Sequence, residues 1–253
     1  MDISEKLKID IATKRIKNPS EELQLIAVGR DGHAIEYIDN PSEKVKLAAI
    51  KQDGYVIEYV SNPSEKMKLT AVKQNGNTLQ YINKPSDEIK LAAVKKDGYA
   101  IRHINNPTEE MKLAAVKQNG YAIVYINDPS EEMKLIAVKQ DGWTIKHITY
   151  ASEKVKLAAV KQNGNAIQYI DEPSEEMKLA AVKQNGYAIK YITYPSKEVQ
   201  LASLWDFSAR KYVVYGLELP TIHYKWIHDR SGIFLRKNLK NRTKKYSDIN
   251  IRC

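Results

Sequence analysis

The sequence predicts an all-α protein: a right-handed α-solenoid of 22-residue repeats, each a long helix followed by a very short one. Three observations carry this. Prolines recur at Pro19, Pro41, Pro63, Pro85, Pro107, Pro129, Pro173 and Pro195, with Ala151 in the one slot that lacks a proline. Glycines keep the same step from Gly32 to Gly186. Whole phrases also return, since PTEEMKLAAVKQNGYAIVYI at 107–126 and PSEEMKLAAVKQNGYAIKYI at 173–192 differ at two positions. A fixed period of about 20–50 residues marks an array whose units bury their apolar faces against their neighbours.

Within a unit, PSEKVKLAAIKQDG at 41–54 has the grammar of a helix. Pro41 and Ser42 supply start signals, Glu43 suits the positive first turn, Lys51 suits the negative last turn, and Gly54 is placed for a left-handed C-terminal cap. Ser or Thr recurs at this point in all nine units and Asn does not, which favours Ser42 over Asn40 as the N-cap. Val45, Leu47, Ala48, Ala49 and Ile50 surround most of the helix, as expected for a helix flanked by copies of itself. The following YVIEYV is too short to be an independent helix and is predicted as one or two turns, α or 3₁₀, with a strand as the alternative. Helix is preferred because Val56, Ile57 and Val60 then share a face and leave Glu58 and Ser61 outside.

The array has ends. Residues 1–18 contain the amphipathic SEKLKIDIATKRIKN, expected to cap the first repeat, and eight full units occupy 19–194. A divergent ninth unit spans 195–216, where Trp205 replaces the recurring Lys and Phe207 and Ser208 replace the Asn-Gly pair, as a unit that covers its own apolar face requires. Its helix is expected to continue through SARKYVVY. In the remaining segment, 217–253, Ile222, Tyr224 and Trp226 alternate ahead of DRSG at 229–232, which reads as a small β-hairpin, with a pair of short helices as the alternative.

Composition bounds the function classes. The net charge of +9 is concentrated at the C-terminus: residues 201–253 hold eleven Lys or Arg against four Asp or Glu, leaving +2 for the first 200 residues. The single cysteine, Cys253, excludes an intrachain disulfide and a cysteine metal cluster. Apolar runs such as LAAV are too short to span a bilayer and the start lacks a signal-peptide core, so a soluble cytoplasmic protein is expected, with no membrane partner.

The phrase LAAVKQNG or a near copy appears seven times. With its continuation GYAIxY it resembles the repeat of a domain of unknown function found in tandem in phage, giant-virus and some bacterial proteins. That resemblance implies helical repeats and a viral or phage origin, hence the host cytoplasm; it supplies neither catalytic residues nor a ligand. The unit is also similar in design to leucine-rich-repeat-variant solenoids.

No constellation of residues predicts an enzyme, a cofactor or a small-molecule substrate. His223 and His228 form H-x₄-H without metal-ligand spacing, and His33, His103 and His147 occupy repeat positions usually held by Tyr. Lysine recurs in two ladders, Lys51 to Lys183 and Lys46 to Lys178, but an acidic ladder from Glu43 to Glu175 matches them, and exposed pairs of this kind contribute a few tenths of a kcal/mol at about 25 °C.

Positions on the short second element are more informative. A nearly constant aromatic ladder runs through Tyr37, Tyr59, Tyr81, His103, Tyr125, His147, Tyr169 and Tyr191, and is expected to pack. Four residues before each lies a varied position, His33, Tyr55, Asn77, Tyr99, Tyr121, Trp143, Asn165 and Tyr187, predicted to neighbour it on a helix face. The most varied position is Glu36, Glu58, Gln80, Arg102, Val124, Lys146, Gln168 and Lys190, which drifts from acidic to basic along the chain. The expected function is a non-catalytic scaffold that binds another macromolecule, a protein above all, as an inhibitor or adaptor. The surface expected to do so comprises Tyr55, Tyr99, Arg102, Tyr121, Val124, Trp143, Lys146, Tyr187 and Lys190. The alternative is nucleic-acid binding through Arg236, Lys237, Lys240, Arg242, Lys244 and Lys245 with help from the lysine ladders.

Overall fold

The computed structural model describes residues 19–204. Among these residues nine α-helices alternate with eight 3₁₀ helices at the period read from the sequence. The long helices are α1 (Glu21–Arg30), α2 (Glu43–Gln52), α3 (Glu65–Gln74), α4 (Asp87–Lys96), α5 (Glu109–Gln118), α6 (Glu131–Gln140), α7 (Glu153–Gln162), α8 (Glu175–Gln184) and α9 (Lys197–Ser203). The short ones are η1 (Gly32–Tyr37), η2 (Gly54–Tyr59), η3 (Gly76–Tyr81), η4 (Gly98–His103), η5 (Gly120–Tyr125), η6 (Gly142–His147), η7 (Gly164–Tyr169) and η8 (Gly186–Tyr191). The second element is therefore a 3₁₀ helix, the tighter of the two helical forms expected. The expected N-terminal cap at 1–18, the continuation of the ninth helix and the hairpin segment lie outside the described residues.

Each long helix starts where the hydroxyl predicts. Ser42 is extended (φ −65°, ψ 160°) and its Oγ accepts from the Val45 N–H at 3.3 Å; Thr108 does the same for Met111 at 3.3 Å. Such a cap is worth about 1 kcal/mol because it satisfies a donor the helix cannot. Glu43 in the first turn and Lys51 in the last complement the helix dipole.

The helix ends differently from the expectation. No described glycine has a positive φ, so Gly54 and its equivalents are not left-handed caps. The chain instead leaves α2 through an extended Asp53 (φ −141°, ψ 117°), whose N–H bonds Ala49 O at 2.9 Å. Glycine is required by close approach to the next unit. A Cβ added at Gly54 would stand 2.9 Å from Ala71 O, at Gly98 2.5 Å from Ala115 O, and at Gly164 2.3 Å from Ala181 O.

The left-handed residue is elsewhere, in the turn that ends each unit. Asn40, Asn62, Lys84, Asn106, Asp128, Tyr150, Glu172 and Tyr194 all have φ between 47° and 53°. Asn and Asp tolerate this region, whereas Lys84, Tyr150, Glu172 and Tyr194 each carry a cost of about 1 kcal/mol or more. The same turn geometry recurs eight times, so the array imposes it regardless of the residue.

The core lies between the two kinds of helix. Val45, Ala49 and Ile50 of α2 are buried, as are Val56 and Ile57 of η2 and Val60 just after it. Leu47 and Ala48, expected in the core, are only half-buried. At 3.6 residues per turn they fall on the two flanks of the helix, toward the preceding and following units rather than toward the η layer. Each of α2–α8 packs on its neighbouring long helices and on the η helices of its own and the preceding unit; no described element touches a unit beyond its neighbour. That is nearest-neighbour, solenoid packing.

Glutamine stitches the units together. The Gly98 N–H donates to Gln118 Oε1 of the next unit at 2.6 Å, and Gly120, Gly142 and Gly164 repeat the bond at 2.6 Å to Gln140, Gln162 and Gln184. The other end of each side chain reaches back to helix-end carbonyls, as Gln140 Nε2 does to Lys117 O at 2.9 Å. Lys96 stands at this position in α4 and has no acceptor to offer Gly76.

Candidate interaction surface

The η helices form a layer of their own, and local chemistry sets their geometry. Asp53 Oδ1 accepts from the Tyr55 N–H at 2.9 Å, and an Asp or Asn makes the same turn at the head of every η helix, for example Asn119 with Tyr121 at 3.0 Å. Such a turn starts a short helix without a Ser cap. Two interior residues then point to the core. At Thr78 and Thr144, where the other units hold Ala or Val, the buried hydroxyl bonds Asn75 O at 2.8 Å and Asp141 O at 2.7 Å.

Because a 3₁₀ helix has three residues per turn, positions i and i+3 lie in line. The two varied positions therefore share one side: Tyr121 with Val124, Trp143 with Lys146, Tyr187 with Lys190, Tyr99 with Arg102. This corrects the expectation that the varied aromatic neighbours the constant one of its own unit at four-residue spacing. The varied ring meets the constant ring of the following unit instead, edge to face: Tyr55 with Tyr81 at 6.2 Å, Tyr99 with Tyr125 at 6.0 Å, Tyr121 with His147 at 6.2 Å and Trp143 with Tyr169 at 5.6 Å between centroids. His33 makes the same contact with Tyr59 and also lies 3.3 Å from Asp53 Oδ2.

The exposure of the two ladders differs from the reading by sequence. Tyr55, Tyr99, Tyr121, Trp143 and Tyr187 are half-buried, whereas most of the constant ladder is exposed, Tyr125 by 44%. Arg102, Val124, Lys146 and Lys190 are exposed beside them, Val124 by 46%. All nine predicted partner-binding residues thus lie on the η layer. Asn77 and Asn165 interrupt the ring pairing; Asn77 bonds Asp97 of the next unit and accepts from Arg102 at 3.4 Å.

The local field along this layer follows its outward residues. Partial burial, and then the charges of Glu58 and Glu36, raise the Tyr59 phenol above its usual value. Burial and the adjacent Arg102 lower His103; burial and Lys146 lower His147. Lys190 is held charged by its hydrogen bonds to Tyr191 and Tyr187, with its Nζ 4.1 Å and 4.4 Å from the Tyr187 and Tyr191 ring centres.

Two exposed rings escaped the sequence reading. Tyr150 and Tyr194 occupy the left-handed turn position and are 96% and 91% exposed. The signal was an aromatic residue in a slot that elsewhere favours Asn, in the recurring phrase ITY.

The lysine ladders separate. Lys46, Lys68, Lys90, Lys112 and Lys156 have side chains only 16–26% exposed and pair with the acid three residues earlier, at 2.7–3.1 Å. Lys134 turns instead to the carbonyls of Thr149 and Tyr150 at 3.4 and 3.3 Å. The ladder from Lys51 to Lys183 stays exposed at the helix ends, with loose inter-unit pairs such as Lys161 with Glu176 at 3.8 Å. Arg236, Lys237, Lys240, Arg242, Lys244, Lys245, His223 and His228 lie outside the described residues. Among the described residues no group of His, Cys, Asp and Glu is placed to hold a metal ion, and no helix is long and apolar enough to cross a membrane.

Fold and surface together define a helical repeat array with one chemically varied side. Residues 152–195, two consecutive units, match a family described as a domain of unknown function (DUF4116). The match runs from the cap Ser152 to Pro195, and the units before it carry the same phrase at the same register. Comparison with curated proteins and with solved structures returned no match.

Proposed function

We propose that the protein is a non-catalytic scaffold that binds another protein along its η layer. One observation carries this reading: on a frame repeated eight times, the outward η position passes through five chemical classes along the array, beside half-buried aromatic rings in most units. A position dictated by packing would repeat, as Ile57 and its equivalents do. Tyr and Trp bordered by changing polar groups make the usual anchors of a specific interface. The partner reads the line from Glu36 to Lys190 one residue per unit. An adaptor or inhibitor acting in a host cytoplasm fits this design.

The rings are half-buried, so replacing them also removes packing; the outward residues are the cleaner probes. The test is capture of proteins from cell extract by the immobilised full chain and by a variant carrying Arg102→Ser, Val124→Asp and Lys146→Ser. Loss of the captured protein with unchanged helicity supports the reading, and undiminished capture refutes it.

A second reading, binding of nucleic acid, is favoured by the exposed ladder from Lys51 to Lys183, which offers one cation per unit. It requires affinity that falls steeply with salt, and nuclease treatment during the capture separates the two.

A further inference from the structure

The η line is complementary to itself when reversed. A two-fold axis passing between η4 and η5 sets unit 1 of one chain against unit 8 of another, unit 2 against unit 7, and so on. In that register the outward residues pair as Glu36 with Lys190, Gln80 with Lys146 and Arg102 with Val124. Glu58 meets the neutral Gln168. At the half-buried position Tyr55 stands opposite Asn165 and Trp143 opposite Asn77, while ring meets ring in the pairs His33 with Tyr187 and Tyr99 with Tyr121. The turns that follow obey it too: Lys84 meets the exposed ring of Tyr150, and Glu172 meets Asn62. At these three positions no pair in this register sets like charge against like.

The layout is also polarised about a mixed centre, where Val124 meets the Arg102 side chain. Val124 and Tyr125, exposed by 46% and 44%, lie beside the axis, with acids toward one end and lysines toward the other. The lysine end is fixed in place, because Lys190 rests over two rings. A surface whose two ends carry opposite charge, reversed upon itself, is the requirement for an isologous contact, in which residue i meets j and j meets i.

We propose that the partner of the η layer is a second copy of this chain, laid antiparallel across a two-fold axis between units 4 and 5. This rests on the reading of the η layer as a protein-binding surface and commits it to one occupant. Charge gives the pairing its register, and Val124 against the aliphatic stem of Arg102, with Tyr125 beside it, gives it contact area at the centre.

The test uses the full chain and two charge-reversed variants in a mixing experiment read by sedimentation. Wild-type chain is expected to be a dimer that dissociates as salt rises. The variant Glu36→Lys with Glu58→Lys has lysine at both ends, and Lys146→Glu with Lys190→Glu has acid at both ends; each alone is expected to be a monomer. Mixed in equal amounts, they are expected to restore a dimer containing one of each. All four sites are exposed, and circular dichroism of each variant verifies that the helices are intact. Val124→Arg, beside the axis, provides an independent variant expected to be monomeric. A monomeric wild-type chain at every concentration, a reversed variant that still dimerises, or a mixture that stays monomeric each overturns the proposal. A monomeric chain that still captures another protein through Val124 overturns this inference and leaves the proposed function standing.

Discussion

The outer side of the α layer and the outer side of the η layer are built from the same eight units, yet they differ in kind. On the α side the second helical residue is Glu22, Lys44, Lys66, Glu88, Glu110, Glu132, Lys154 and Glu176. Its sign changes, but it is always a long, solvated charge. On the η side the corresponding line passes through acid, amide, guanidinium, apolar and ammonium groups. Solvation alone accounts for the first pattern. The second needs something that distinguishes one unit from the next, and this contrast locates the candidate surface.

The comparison breaks most visibly where frame and surface are perturbed in turn. Gly164→Ala places a Cβ 2.3 Å from the Ala181 carbonyl, so units 7 and 8 must part; a loss of about 3 kcal/mol in urea unfolding is expected, the upper end of overpacking costs. Ser130→Ala removes the cap on Met133 and should cost about 1 kcal/mol. Val124→Thr on the η line should stay within about 0.5 kcal/mol.

Two substitutions should strengthen the frame. Glu172→Asn places a residue that tolerates φ 49° and should add about 1 kcal/mol. Lys96→Gln gives Gly76 the acceptor its counterparts have and should add about 1 kcal/mol in the same assay. A smaller effect is pH-dependent. Burial and Arg102 lower the His103 pKa from 6.5, so the unfolded chain binds the proton more readily. The contribution is present above that value and is lost as pH falls through it, and His103→Tyr should flatten the stability profile measured across that range.

The period, the caps and the order of elements were legible because each depends on residues close in sequence. Ser42 and Val45 are three residues apart, and the hydroxyl announces the helix start. The role of Gly54 was not legible, because Lys-Gln-Asp-Gly has the form of a helix end capped by a left-handed glycine, while the atom that forbids a side chain there is Ala71 O in the next unit. The role of Gln118 was not legible for the same reason; its partner, Gly98, lies twenty residues earlier across a unit boundary. The left-handed turn was masked by Lys84, Tyr150 and Glu172, which lack the Asn signature. The candidate surface was found from variation between units, but its geometry depended on whether the second element has three residues per turn or 3.6. That difference moved Tyr121 from beside Tyr125 to beside Val124 and left the constant ladder the more exposed of the two.

The central claim is that the varied η line, and not the charged α side, binds the partner. The direct measurement is capture by two variants compared with the wild-type chain at matched unfolding midpoints. One carries Arg102→Ser, Val124→Ser, Lys146→Ser and Lys190→Ser; the other carries Lys44→Ser, Lys66→Ser, Glu88→Ser and Glu110→Ser on the α side. Loss of capture in the first and retention in the second is the predicted result; retention in the first, or loss in the second alone, would contradict it.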